Sequence, residues 1–410
     1  MSVYTNTSKH KISLTIPPIF FILVDIFYKG NAMKDLFGNN QTEINFDIPF
    51  YTSHLITYIG NKRALLQFLN AGFELVKEKI GKEKIFALDG FAGSGVVSRL
   101  LKEHCSILHS NDIENYSNII NTCYLSNKSQ VDFKYIKETI DYLNNLKDSD
   151  LYEGFITKNY APKDDDNIQA GERVFYTHKN AMLIDTMKKF IFAEVPPDKI
   201  PYILSPLLIQ ASIHTNTSGV FKGFHKKDGI GHFGGSGENC LTRIKGKIEL
   251  EYPIFSEKEC NVKVFKDDIN NLIKNVECQG YDLVYYDPPY NQHPYGSNYF
   301  MLNIIANPQE ETEIQNGVSG ISVDWYKSAY NKRNPAIQSL DDLIKNTNSK
   351  YILMSYNNEG IIPFDVFKET LEKYGKVSLL DKDYSTYKGC RNLCDRSKQV
   401  KELLWIVEKG

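Results

Sequence analysis

The stretch that most constrains this chain is Asp282-Leu283-Val284-Tyr285-Tyr286-Asp287-Pro288-Pro289-Tyr290. Its first part is a short, nearly unbroken apolar run, and it stops at an acid followed by two prolines. That pattern predicts a buried parallel strand ending in a rigid turn. In open α/β sheets ligands bind at the carboxyl ends of strands, so Asp287 is delivered to the lip of a site. Each proline fixes φ and lacks an N–H, so Pro288 presents its carbonyl without a competing donor beside it. An aspartate acceptor, an aimed carbonyl and the flat face of Tyr290 together suit a planar ring bearing an exocyclic amino group. A strand-ending proline turn without chemistry is the plain alternative, and other motifs must decide.

Two more motifs do. Ile85 to Gly95 (Ile-Phe-Ala-Leu-Asp-Gly-Phe-Ala-Gly-Ser-Gly) reads as a strand, a glycine-rich turn and the start of a helix running from Val96 to about His104. Such glycines let the backbone approach a ligand, and the helix amino terminus offers free N–H groups. The Lys-Ser/Thr ending of a phosphate loop is absent, and Asp89 at the strand end disfavours an anion but suits a cationic ligand. The next strand, Ile107 to Ser110, ends at Asn111-Asp112-Ile113, about twenty residues on, where a ribose-binding acid belongs in a nucleoside-binding βαβ unit. Upstream, Ile56-Thr57-Tyr58-Ile59-Gly60-Asn61-Lys62-Arg63 precedes an amphipathic helix to about Ile80, and a lysine there can neutralise a carboxylate ligand.

Taken in this order, the motifs resemble those of the alpha-group DNA adenine N6-methyltransferases of type II restriction-modification systems. The resemblance covers Ile56 to the carboxyl terminus. It implies a Rossmann-like α/β sheet with a mostly helical target-recognition insert. It further implies methyl transfer from S-adenosylmethionine to the N6 amino group of an adenine flipped out of a specific duplex DNA site. Asp287, Pro288, Pro289 and Tyr290 are then catalytic. Asp287 and the Pro288 carbonyl take the amino hydrogens, and Tyr290 stacks on the base. Tyr58, Lys62, Asp89, Phe91, Ala92, Gly93, Gly95, Asp112, Ile113, Asp268 and Asp287 become the cofactor contacts. Asp112 takes the ribose, and Asp268 or its neighbour Asp267 takes the cofactor's adenine, although a helix cap explains either acid as well.

Between the cofactor motifs and the catalytic turn lies a basic, glycine-rich insert. Lys222, His225, Lys226, Lys227 and Arg243 are interleaved there with Phe221 and Phe224, and they are the candidate DNA contacts. Lys388 and Arg391, on a late polar hairpin, join them. The stretch from Tyr124 to Arg173 reads as peripheral helix and loop. The implied organisation is an extension over 1–45, a methyltransferase domain over 46–125 and 255–410, and a recognition insert over 126–254. Residues 14–28 are apolar, but Pro17-Pro18 and Asp25 interrupt them, which argues against a membrane span or a signal peptide.

Composition sets bounds only. Net charge is −2 over 410 residues, so DNA binding needs a local positive surface. Seven cysteines, an odd number, suggest no disulfide framework, and no metal-ligand spacing accompanies Cys390 and Cys394. A reducing cytoplasm and a monomer are expected, with duplex DNA as partner and a cognate restriction endonuclease as functional counterpart. Two rivals remain, N4-cytosine methylation and a non-catalytic recognition subunit that keeps the fold.

Overall fold

A computed structural model describes residues 44–235, 239–385 and 399–410. Residues 46–410 form one compact unit, described below. Its strands are β1 (Ile85–Asp89), β2 (Cys105–Asn111), β3 (Lys226–Lys227), β4 (Ile230–Gly231), β5 (Asn261–Phe265), β6 (Tyr281–Tyr286), β7 (Ser349–Asn357), β8 (Gly375–Ser385) and β9 (Gln399–Lys409). Seven of them make one sheet in the order β5-β2-β1-β6-β7-β9-β8, and β3 and β4 form a separate hairpin. The first five of the sheet run parallel, while β9 lies antiparallel between β7 and β8. The expected Rossmann-like methyltransferase sheet is therefore present.

All six residues of β6 are buried, because helices cover both faces of the sheet at its centre. From β1 the chain steps outward through β2 to β5, then returns to the other side of β1 at β6. That reversal opens a crevice at the carboxyl ends of β1 and β6, and each strand delivers an acid there, Asp89 and Asp287.

Helix Leu66–Ile80 packs on one face so closely that a Cβ on Gly72 would lie 2.6 Å from Leu404 Cδ2. On the other face Leu340, Leu343, Phe367 and Leu371 cover Val284, Tyr286, Ile352 and Met354. Buried Arg99 ties the next layer together. Its guanidinium lies 4.3 Å from the Tyr124 ring centroid and donates to the carbonyls of Phe50 (2.8 Å), Ser53 (3.1 Å) and His54 (2.8 Å). The planar fork of an arginine can serve several carbonyls at once, which makes its burial tolerable. The segment it pins leads directly into Tyr58 and Lys62.

Residues 126–254 carry helices Phe133–Asn144, Phe155–Tyr160, His178–Glu194, Ile200–Ile213 and Cys240–Lys245. They do not bury a core of their own. Ile136, Ile140, Leu143, Met187 and Leu204 share one core with Tyr116 and Ile120 before the insert and with Phe300 to Ala306 after the catalytic turn. The expectation of a merely peripheral stretch from Tyr124 to Arg173 is corrected accordingly. Ile136, Ile140 and Leu143 form the apolar stripe of an amphipathic helix, whose charged outer face dominates the linear composition.

Candidate active site

The crevice is a cleft of about 710 Å³, its open mouth included. Tyr58, Phe91, Gly93, Asp112, Ile113, Asp268 and Asp287 line it, so five separate stretches of sequence converge there. Pro289 is on the wall too, with Gly60, Glu114, Asp267, Tyr295, Tyr326 and Tyr330.

The glycine loop works differently from a phosphate cradle. Gly90 N–H donates to Tyr285 O (2.9 Å), Ala92 N–H to Asn111 O (2.9 Å), Gly95 N–H to Ala92 O (2.8 Å) and Gly93 N–H to Asp112 Oδ2 (2.7 Å). These four loop N–H groups are spent inside the protein. What the glycines provide is closeness. Gly93 has φ +53°, and a Cβ there would sit 2.9 Å from Tyr58 Cε1.

Acids dominate the electrostatics. Asp89 is wholly buried at the end of β1; its Oδ2 accepts from Ser98 Oγ (2.6 Å), and its Oδ1 has no hydrogen-bond partner among the described residues. Burial pushes its carboxyl up to about 7. Burial likewise raises Asp112, against the hydrogen bonds from the N–H groups of Gly93 and Glu114. Glu114 is pushed up to about 7, again by burial, with Asn303 Nδ2 donating to its Oε2 at 2.5 Å. Asp287 is raised to about 6, burial outweighing the pull of Lys62. A cleft walled by acids that burial makes costly to ionise suits a ligand carrying positive charge.

Lys62 departs from its expected place. It is only 4% exposed, with Nζ 3.1 Å from Asp287 Oδ1 and 2.8 Å from Glu402 Oε1. Burial opposes its charge, but these two carboxylates outweigh burial and hold the ammonium well above its ordinary value. Thus Lys62, expected to meet a cofactor carboxylate, is paired here with two protein acids. Tyr58 packs in a three-ring cluster with Tyr299 (4.8 Å between centroids, 22°) and Tyr295 (5.0 Å, 20°), which are themselves 6.0 Å apart. Those two tyrosines also clamp the Ile59 backbone, Ile59 N–H donating to Tyr299 Oη (2.7 Å) and Tyr295 Oη to Ile59 O (3.1 Å). The loop before Lys62 is therefore fastened to the segment after the catalytic turn.

Asp268 caps helix Ile269–Leu272: Oδ1 accepts from Asn270 N (2.8 Å), and Oδ2 accepts from the Tyr326 hydroxyl. Asp267 Oδ1 accepts from Asp268 N (2.7 Å).

The architecture and motif placement agree with one decisive comparison: the model of the D12 class N6 adenine-specific DNA methyltransferases matches residues 58–365. The chain belongs to that family. This methyltransferase is similar to Type II methyltransferase M.NlaIII of Neisseria lactamica, at 28% identity over 86% of this chain and 99% of the relative. It is also similar to Type II methyltransferase M.CviAII of Paramecium bursaria Chlorella virus 1, at 29% identity over 86% of this chain and 98% of that relative. Modification methylase StsI of Streptococcus sanguinis is 29% identical over 86% of this chain, which spans 52% of that longer relative. The methyltransferase is thus an adenine-specific enzyme that acts on DNA and uses a methyl donor.

The expected DNA contacts of the methyltransferase do not behave alike. Lys226 and Lys227 are exposed on hairpin β3–β4, where Asp228 (φ +52°) and Gly229 (φ +82°) make the tight turn. Lys222 and His225 are half-buried beside it. Arg243 is instead engaged by the protein: it donates to Ile213 O and to Thr215 O (2.8 Å) at the end of helix Ile200–Ile213, where carbonyls lack helical partners. Phe221 and Phe224, which interleave these basic residues, pack on Phe175 at 6.2 and 5.2 Å. Lys388 and Arg391 lie outside the described residues.

Sequence reasoning passed over Glu114, Glu402 and Tyr326. Glu114, two positions beyond Asp112, carried a signal by proximity. Glu402 and Tyr326 carried none, since only folding brings them to the site.

Proposed function

We propose that the cleft binds S-adenosylmethionine between Asp89, Asp112 and the Asp267-Asp268 pair, and receives a flipped adenine against Asp287, Pro288 and Tyr290. The observation that carries this reading is a cleft lined by the carboxylates of Asp112, Glu114, Asp267, Asp268 and Asp287, with Asp89 wholly buried beside it at the end of β1. It fits the cationic end of the donor. Asp112, fixed by two backbone N–H groups, fits a ribose, and Asp267, less engaged than Asp268, fits an adenine amino group. When bound, S-adenosylmethionine supplies an electrophilic sulfonium methyl.

The chain's own part follows from position. Asp287 Oδ and the Pro288 carbonyl accept the hydrogens of the target amino group, which draws the nitrogen lone pair out of ring conjugation. Tyr290 offers its face to the base, and Asp287, raised to about 6, is matched to take up the proton released after transfer. Lys226 and Lys227 fit backbone phosphates of a duplex, and residues 126–254 fit target recognition. Residues 1–43 lie outside the described residues.

The same reading makes the enzyme a monomer in the cytoplasm that protects DNA from a cognate restriction endonuclease. The five described cysteines are all free, and no helix among the described residues is long and apolar enough to cross a membrane. The test is transfer of labelled methyl from S-adenosylmethionine to unmethylated genomic DNA by wild type and Asp287→Ala, followed by nucleoside analysis and methylation-sensitive sequencing. N6-methyladenine within one short motif, absent with the variant, is expected. Label spread without sequence preference, or persisting in Asp287→Ala, refutes the reading.

A further inference from the structure

Glu402 is a buried acid at 5% exposure, in a strand that continues Leu403-Leu404-Trp405-Ile406-Val407. An ionisable residue at such a position is costly unless it is paired. Its Oε1 accepts from Ser355 Oγ at 2.9 Å and lies 2.8 Å from Lys62 Nζ, closer than the 3.1 Å from Lys62 to Asp287 Oδ1. Antiparallel pairing brings it there: β9 lies between β7 and β8, and Glu402 is registered with Asn357, past the point where Ser355 faces Leu404. One ammonium near the start of the fold thus serves two carboxylates far along the chain, Asp287 on the catalytic turn and Glu402 on the last strand.

We propose that Glu402 is a positioning residue for methyl transfer: it holds Lys62 in a shared position, so that the lysine places Asp287 without closing on it as an exclusive ion pair. The proposal rests on the reading of Asp287 as acceptor of the adenine amino group. An aspartate locked one-to-one with a buried ammonium is a poor acceptor for a neutral amino group. An aspartate left without any cation in this setting is driven toward its protonated form, which accepts less well still. Sharing the lysine avoids both extremes. The contact geometry agrees with sharing, since Lys62 Nζ stands at ion-pair distance from both acids, 3.1 Å from Asp287 Oδ1 and 2.8 Å from Glu402 Oε1.

The charged and titratable groups facing Asp287 are few. Lys62 and Glu402 face it from the loop and from β9, Asp89 from the end of β1, Tyr285 and Tyr290 from its own strand and turn, and Tyr295 from the following helix. Burial raises Asp287, Lys62 lowers it and Glu402 raises it. Removing the Glu402 charge therefore lets Lys62 dominate and moves the Asp287 titration to lower pH.

The experiment measures kcat and the KM for S-adenosylmethionine between about pH 5 and 8 for wild type, Glu402→Gln, Glu402→Asp and Asp287→Ala, on unmethylated duplex DNA. Glu402→Gln is expected to lower kcat by roughly tenfold, to leave KM within about twofold, and to move the acid limb of the kcat profile down by about half a pH unit. Glu402→Asp keeps the charge one methylene farther away and recovers part of both effects. A merely structural residue lowers the amount of folded enzyme and leaves the limb in place, so an unmoved limb overturns the proposal. Should Glu402→Gln fail to fold by circular dichroism, Glu402→Asp carries the test, with the same direction and a smaller shift, and an unmoved limb there also overturns it. Asp287→Ala separates the two levels. Retained adenine methylation refutes the acceptor reading itself, whereas an inactive Asp287→Ala beside an unmoved Glu402→Gln limb refutes the positioning role alone.

Discussion

Asp89→Asn should stabilise the protein against unfolding at neutral pH while abolishing its capacity to bind a cationic donor. In the ligand-free fold the Asp89 carboxyl is held up at about 7, against an ordinary 3.8, and burial is the main cause. The sign follows from proton binding: between about pH 4 and 7 the folded chain keeps a proton that the unfolded chain has lost, so stability declines as pH rises through that window. Below it both states are protonated and Asp89 costs nothing. Above it the penalty is complete, and about three pH units correspond to about 4 kcal/mol. Roughly 2.5 kcal/mol of this develops between about pH 5 and 8. The asparagine cannot ionise and keeps an acceptor for Ser98 Oγ, so it escapes the penalty. Urea unfolding of both proteins at the two pH values, without donor, reads the difference, and titration calorimetry with S-adenosylmethionine reads the loss of binding. A stability gap between wild type and variant that is the same at both pH values would refute the reasoning, because it would mean that Asp89 ionises in the fold as easily as in water.

Two further outcomes are expected. Gly93→Ala forces a side chain into φ +53° and a Cβ to 2.9 Å from Tyr58 Cε1; it should cost about 1–2 kcal/mol in urea unfolding and at least roughly tenfold in donor affinity by calorimetry. Arg99→Met removes the donors to Phe50, Ser53 and His54 carbonyls and should lower stability by about 3 kcal/mol, with faster hydrogen exchange at residues 49–62 as the local readout.

Much of the central fold was legible because its signals are local. The run before Asp287 is apolar on both faces, and only a strand covered on both sides makes such a run. Helix Val96–His104 starts after Gly95, where the sequence put it. The final strands, Gly375–Ser385 and Gln399–Lys409, have polar ends paired to each other in a ladder that local hydropathy does not register. The stretch after Tyr124 misled for a related reason. Its buried residues are one stripe of a helix, and a composition average weights the solvent face equally.

In the site, the residues on strand ends and tight turns could be named from the chain alone. Asp112 and Asp287 are where strands stop, and Gly93 is where the backbone must turn back, so short-range geometry commits them to the cleft edge. Partnership was different. Nothing near Lys62 in sequence tells that its ammonium meets Asp287, more than two hundred residues away, and Glu402, farther still. Arg243 looked like a phosphate ligand until the unpaired carbonyls at the end of helix Ile200–Ile213 claimed it. A charged side chain goes to whichever opposite charge or acceptor the folded chain places within reach, and burial then makes that pairing worth far more than it would be in water. The sequence by itself determined the strands, the turns and the acids at their ends, since those follow from local sterics and hydrophobic period. Only the tertiary structure decided which cation faces which acid, because that depends on distances closed by the whole sheet.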